Sequence, residues 1–531
     1  MPKLNRVLIY WNDIQINTRF YSWMEAAMFG KRQKKKEKAA SKPSGQSGSQ
    51  LTIKQLLDKC KASQDFVSFT KSDQHPFTIS YYKSMVNPDL VHRDLIPYLT
   101  RCSLMPLKQL ASEIPVETIE HTKDVQKIQD SLLTGSVLVQ PDPKKADCLL
   151  VPAATAEKRQ ISVPETEFSV VGPKEAFVEA IEVNINMIRK RLPIPELHVK
   201  EVKIGKLSKT RVTILYIDGI ASQENINTLL QRVSDIEYDH ILDSSYVLQM
   251  ISDNQNSPFP QLINTERPDR VAAVLAEGKV ALLVDGSPSA LTGPTTLVEF
   301  FSAFEDYFLS WHVASVFRMI RLLGVLFSVL STPLYVAVLT FHYEMIPTDL
   351  LGTLIASRSG IPFPPIVEAI ILELSIELLR EAGARLPSKV GQTIGIVGGI
   401  VIGTAAVQAG LTSNVLLIIV ALAALASFTT PVYQMSNTIR LIRFPFLIFA
   451  QFWGLLGVSI CFAFVMGHML RLTSLGRPYL APLYPLRMVD LKDAFIRLPF
   501  NRQGLRPMQM RPADPARLNF KRANQKNDIE E

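Results

Sequence analysis

The sequence predicts an α+β soluble half, built as two mixed α/β subdomains, followed by an α-helical multi-pass membrane domain. Three observations lead there. Charged residues are dense from Met1 to about Ser310 and nearly vanish from long runs between Arg321 and Leu470. Two stretches of the charged half resemble each other. The uncharged half contains several runs near the length of about 20 apolar residues that a spanning helix needs.

Residues 1–50 read as a basic N-terminal segment with a linker: KRQKKKEK (Lys31–Lys38) precedes the flexible SKPSGQSGSQ (Ser41–Gln50). The opening MPKLNRVLIYWNDIQ lacks a long apolar core and a small-residue cleavage site, so it is not read as a cleavable signal peptide. Residues 51–155 form the first α/β subdomain and 156–310 the second. Within them TISYYKSMVNPDLVHRDLIPYL (from Thr78) matches TILYIDGIASQENINTLLQRV (from Thr213), each a strand, a turn and a helix. LLTGSVLVQPDPKKADCLLVP and LAEGKVALLVDGSPSALTGP also match, aligning Gly135 with Gly278, and each reads as two strands around a polar turn. A duplicated α/β unit, its sheets covered by helices, is the expectation.

Composition narrows the function. The net charge of +8 gathers in Lys31–Lys38 and in the tail 471–531. Neither interleaves aromatic with basic residues as a nucleic-acid surface does, so both read as lipid-facing or solvated tracts, with no nucleic-acid partner. Cys60, Cys102, Cys148 and Cys461 have no metal-ligand spacing and read as free, reduced thiols of a cytosolic soluble half. His75, His92, His121, His198 and His240 form no ligand pattern. NTERPDR (Asn264–Arg270) reads as a helix start with local ion pairs. There is no glycine-rich phosphate loop, nucleophile elbow or HExxH. No enzyme activity, cofactor or metal is expected.

The membrane domain, residues 311–470, offers four or five helices: Leu322–Phe341 with Pro333 as a kink, Pro364–Gly383, Ile394–Gly410, Asn414–Phe428 and Phe444–Leu470. Arg318 and Arg321 before the first span, and the basic tail after Arg471, favour both flanks on the cytoplasmic side and therefore an even number of crossings. Against five candidates, the helix carrying glutamates is the one expected not to cross fully. At about 100° per residue, Glu373, Glu377 and Glu381 fall within about 80° of one another, with Arg380 at the border of the stripe. Glu368 lies nearly opposite, by the helix start. Such a stripe must meet water, cations or arginines. Two readings stay open: an intramembrane ion-pair cluster with Arg380 and Arg385, or an acidic lining for cations. Gly395, Gly399 and Gly403 recur every four residues, a small face suited to tight helix packing or to a narrow pore wall.

PFPPIVEAIILELSIELLREAGARLP, GQTIGIVGGIVIGTAAVQA and ALASFTTP resemble the A subunit of the GerA-type spore germination receptors. So do VVGPKEAFVEAIEVNINMIRKRL, SPFPQLINTERPDRV, LLVDGSP, RLTSLGRPYLAPLYP and DAFIRLPF; the first hundred residues match less clearly. The resemblance implies a multi-pass protein of the spore inner membrane, with a transporter-like B subunit that binds the nutrient germinant and a C-subunit lipoprotein as partners. It also implies a homo-oligomer, a pentamer in the family's pattern, forming a ligand-gated cation channel. Competing readings are a proton-coupled transporter subunit using Glu373 or Glu377, and a non-conducting scaffold or amplifier paralogue.

Overall fold

The computed structural model describes residues 52–71, 77–101, 111, 114–116, 118–141, 147–155, 164, 165, 167, 169, 171–385, 399, 403–500 and 503–517. The basic N-terminal segment, His75, Cys102, Gly395 and residues 518–531 of the tail lie outside them.

The first α/β unit opens with helix α1 (Ile53–Lys61), whose start is closed by a capping box between Thr52 and Gln55. There follow β1 (Phe66–Lys71), β2 (Phe77–Tyr82), a helical stretch from Leu90 that ends in α2 (Ile96–Arg101), β3 (Glu120–Thr122), α3 (Val125–Leu133), β4 (Ser136–Gln140) and β5 (Cys148–Pro152). The second unit runs through α4 (Ile181–Arg191), β6 (Leu197–Ile204), β7 (Thr210–Ile217), α5 (Gln223–Ser234), α6 (Ser244–Ile251), β8 (Ile263–Thr265), α7 (Pro268–Ala276), β9 (Val280–Val284) and β10 (Ala290–Gly293). The strand orders are β1-β2-β4-β5-β3 and β6-β7-β9-β10-β8. These are the same topology, with the third strand crossing over to the far edge, and every pairing is antiparallel.

Local chemistry explains the strands. Val280, Leu282 and Val284 of β9 enter the core on one face of the sheet, and Ala281 and Leu283 enter the core on the other. A central strand covered on both sides needs a continuous apolar run, and VALLV supplies it. Gly135 and Gly278 occupy equivalent places, each just past a helix end and before the fourth strand, with φ of +98° and +93°. A side chain is strained there, and at Gly135 a Cβ would come within 2.9 Å of the Met85 carbonyl oxygen. The NTERPDR start carries the expected local pair, Arg267–Asp269 at 2.7 Å, while Arg270 reaches Glu167 at 2.8 Å.

The two units meet at a buried ion pair. Arg189 of α4 donates from Nε and Nη2 to both oxygens of Asp65, at 2.7 Å each, and from Nη2 to Ser63. Its guanidinium lies 4.2 Å over the Tyr82 ring. Two backbone hydrogen bonds, Gln64 N–H to the Val199 carbonyl and Val199 N–H to Ser63 Oγ, lie beside it.

Beyond Asp306, whose carboxylate is fully buried and held by Arg321 at 2.6 Å and Arg318 at 3.6 Å, the chain becomes helical. Helix α8 (Trp311–Phe341) continues through Pro333. It is followed by α9 (Thr348–Arg358), α10 (Pro365–Arg385), a helical stretch at 403–408, α11 (Asn414–Ser427) and α12 (Tyr433–Arg471). Among the described residues, α8 and α12 are long and apolar enough to cross a membrane.

Helix α12 is not one rod. At Gly454 the backbone leaves the helical region, with φ 58° and ψ −137°. The rings of Phe449 and Phe464 then lie 6.4 Å apart, whereas a continuous helix would separate these residues by about 22 Å. Met435, Ile439, Met469 and Leu472 share one apolar cluster. The chain therefore folds back at Gly454 into a hairpin of segments 433–453 and 455–471. The sequence reading took Phe444–Leu470 as one crossing. Its correction has a local cause that hydropathy does not register, a left-handed glycine inside an apolar run.

The tail expected to be a basic, lipid-facing tract instead packs on the second α/β unit between 473 and 517. Strands β11 (Thr473–Ser474) and β12 (Arg477–Pro478) form a short hairpin, and α13 (Met488–Phe495) follows. Leu475 enters the core of the second unit, Ala513 N–H bonds the Ile220 carbonyl, and Arg517 pairs with Glu277 at 3.0 Å.

Three outcomes follow. Arg189→Ala leaves Asp65 buried without its counter-charge and lowers stability by about 3–5 kcal/mol in chemical denaturation; a loss below 1 kcal/mol would show the pair to be incidental. Nitroxide labels at positions 449 and 464 broaden each other's spectra, and no broadening would mean a straight helix. Gly454→Ala, whose Cβ would meet His342 Nε2 at 2.9 Å and Phe341 Cβ at 3.0 Å, weakens the same turn.

Candidate functional site

Depth through the helical half can be read along α8. Gly324 lies against Thr429, Ser328 accepts a hydrogen bond from Arg443, Thr332 donates to Glu373, and Tyr335 OH contacts Ser413 Oγ at 3.2 Å. At the end farthest from the α/β units, Phe341 and His342 touch Gly454. At the near end Thr438 donates to the Pro258 carbonyl of the second α/β unit.

Helix α10 runs antiparallel to α8 through this frame, and each of its glutamates meets an arginine. Glu368, 1% exposed, accepts from Arg358 at 3.0 Å and from the Ser413 N–H at 3.2 Å. Glu373 accepts from Arg443 Nη1, and from Thr332 Oγ1 at 3.1 Å. The side chains of Glu373 and Arg443 are each 3% exposed. Arg443 also donates to Ser328 Oγ at 2.7 Å. One turn closer to the α/β units, Glu377 serves two cations, Arg380 at 2.7 Å and Arg440 at 3.3 Å. Arg380 and Arg440 both donate to Asn437 Oδ1, and Arg440 donates to Ser436 Oγ at 2.7 Å. Glu381 pairs with Arg385 at 2.6 Å, both largely exposed.

The expected stripe therefore divides. Glu377 meets Arg380 on its own helix, and Glu381 meets Arg385. Glu373 turns to Arg443, a residue that reasoning along one helix does not reach because it stands 70 positions later. A signal was present. From residue 382 to 489 the sequence contains no Asp or Glu, yet Arg440 and Arg443 sit beside an apolar run. Their i, i+3 spacing matches the i, i+4 spacing of Glu373 and Glu377, one face against one face. Of the glycines, Gly395 is outside the described residues. Gly403 faces Leu417, at 3.6 Å from a Cβ built on it, and Gly399 has no atom of the described residues within 4 Å of such a Cβ.

Chemically, the network gives every carboxylate of α10 an arginine partner. Carboxylates engaged in this way coordinate no cation unless an arginine moves. Among the described residues no group of three or more His, Cys, Asp or Glu could hold a metal ion.

Two α/β repeats leading into apolar helices laced by arginine–glutamate pairs define a membrane-associated protein. The family model described as Bacillus/Clostridium GerA spore germination protein matches residues 52–509. Spore germination protein GerQA of Bacillus cereus is 52% identical over 469 residues, 88% of this chain and 94% of that one. GerIA of the same organism is 50% identical, covering 87% and 69%, and spore germination protein KA of Bacillus subtilis (strain 168) is 37% identical, covering 85% and 84%. The crystal structure of the N-terminal domain of the A subunit of the Bacillus megaterium spore germinant receptor GerK3 aligns at 30% identity with a TM-score of 0.35, over 46% of this chain and 92% of that one. The chain belongs to the GerA family of spore germination proteins, and its role lies in germination.

Glu373→Gln strands Arg443 in an apolar interior and costs about 3–5 kcal/mol. Melting of the purified protein in detergent should fall accordingly, and adding Arg443→Leu should restore most of it. An unchanged melt for Glu373→Gln would show that the pair carries no structural weight.

Proposed function

We propose that this chain is the membrane subunit of a nutrient germinant receptor in the spore inner membrane, acting with a transporter-like B subunit and a lipoprotein C subunit. Family membership carries this reading. The described helices supply five crossings, α8, α10, α11 and the two arms of the Gly454 hairpin, with α10 crossing where the sequence alone suggested that it stops short, and the apolar run Ile394–Gly410, taken from the sequence, makes the sixth. Six is even, so both α/β units and the tail share the cytoplasmic side, in keeping with the basic flanks at Arg318, Arg321 and Arg471. Contacts at successive depths along α8 support the order, and the fold-back at Gly454 supplies the crossing that an even count requires.

Copies assemble around a common axis as a ligand-gated cation channel. The small face at Gly399 and Gly403 is where they meet, since among the described residues none fills the space beside Gly399. The glutamates of α10 hold that wall in place in the closed arrangement, each on its arginine. A second reading, a scaffold or amplifier that does not conduct, is favoured by this complete pairing of the acids.

Two measurements decide. Cysteine at Met345, 64% exposed beyond the far end of α8, should react with an impermeant maleimide from outside the membrane, while cysteine at Gln223 should not. The reverse pattern would invert the topology. The receptor subunits reconstituted together in liposomes should release potassium when a nutrient panel is added. Assembly with intact nutrient binding but no flux would favour the scaffold.

A further inference from the structure

The pairing of α10 with its neighbours leaves one positive charge over, at Arg380, Arg440 and Glu377. Two guanidiniums share one carboxylate, and the other acids of the helix are engaged elsewhere: Glu368 by Arg358, Glu373 by Arg443 and Glu381 by Arg385. No further Asp or Glu occurs between residues 382 and 489. The remaining hydrogen-bond partners of the pair, Asn437 and Ser436, are neutral, and the nearby carboxylate of Glu381 is already matched by Arg385. Arg440 is buried, with its side chain 7% exposed, whereas Arg380 is 26% exposed and opens outward. A guanidinium has five N–H donors. Arg380 directs three at Glu377 and Asn437, leaving two for an outside acceptor.

Depth narrows what that acceptor is. The apolar part of α8, residues 322–341, is about 30 Å long, so its middle falls near Thr332, the level of Glu373. Arg380 lies seven residues further along α10, about 10 Å closer to the α/β units. That leaves it about 5 Å inside the apolar boundary, within reach of headgroup phosphates for a side chain of arginine's length. Arg440 is at the same level, two residues beyond Thr438, which bonds the second α/β unit. An anion at this depth meets a planar donor fork and an uncompensated charge, the combination that favours arginine for phosphate.

We propose that the Arg380–Arg440 pair is a binding site for the phosphate of an anionic phospholipid in the leaflet facing the α/β units. The inference rests on the membrane-spanning reading above. The lipid closes the charge balance around Glu377 and ties α10 to α12 at the membrane edge. The site is independent of whether the assembly conducts.

The full chain, purified in mild detergent with its partners, is exchanged with phosphatidylglycerol or phosphatidylcholine and weighed by native mass spectrometry. Phosphatidylglycerol should be retained with about fivefold preference per arginine engaged. Arg380→Gln leaves Arg440 and Glu377 balanced one to one, so the protein should fold normally and lose the preference. Arg380→Lys should keep part of it. Equal retention of both lipids, or an unchanged preference in Arg380→Gln, would overturn the site. Displacement of phosphatidylglycerol by millimolar inorganic phosphate would make it a free-anion site and equally overturn the lipid assignment. Retention of no lipid of either kind would instead count against the membrane-spanning reading itself.

Discussion

The helical half depends on a shortage of negative charge. For more than a hundred residues after Glu381 the chain has no carboxylate, while arginines at 440 and 443 sit next to an apolar run. A buried arginine without a counter-charge is among the costliest arrangements a protein can hold. Helix α10 relieves it, and Glu373 and Glu377 fix its position against α8 and α12. This is why an apolar helix carries four acids. They are distributed among neighbours at different depths and not gathered into one acidic surface.

The same reliance on few, well-placed charges joins the α/β units to the helices. Asp306 is buried at the start of α8 and takes Arg318 and Arg321 from its first turns. At the other end of the helical half, Asp253 accepts from Arg232, Thr473 Oγ1 and the backbone N–H groups of Leu475 and Gly476. Burial pushes its carboxyl up, but these hydrogen bonds outweigh it and hold the group below the usual carboxylate range. Ser257 also contacts His468 at 2.8 Å, and the Phe259 ring stacks on that imidazole. Both the first and the last helix are thus clamped to the second α/β unit.

The two α/β units show how little sequence a fold needs to repeat itself. Their strand orders coincide although few residues do. What recurs is functional in a physical sense: continuous buried runs in the central strands, and a glycine after the helix that precedes the fourth strand. The linkage between them, Arg189 of α4 on Asp65 just before β1, has an exposed and looser counterpart in Lys59 of α1, 3.5 Å from Glu196 just before β6.

By itself the sequence determined the division into a charged half and an apolar half, the repeat marked by Gly135 and Gly278, and two of the five apolar helices to within a few residues: Pro364–Gly383 against Pro365–Arg385, Asn414–Phe428 against Asn414–Ser427. These are local properties, set by periodicity, burial and backbone freedom over a few turns. It also singled out Glu373, Glu377, Arg380 and Glu381. Tertiary structure alone decided that Glu373 belongs to Arg443, that Glu377 is shared with Arg440, and that the run 444–470 turns back on itself. Which charge meets which is settled by helices packing across 70 residues of chain, and a hairpin turn rests on one glycine's φ. Neither changes the hydropathy or spacing from which segments are read.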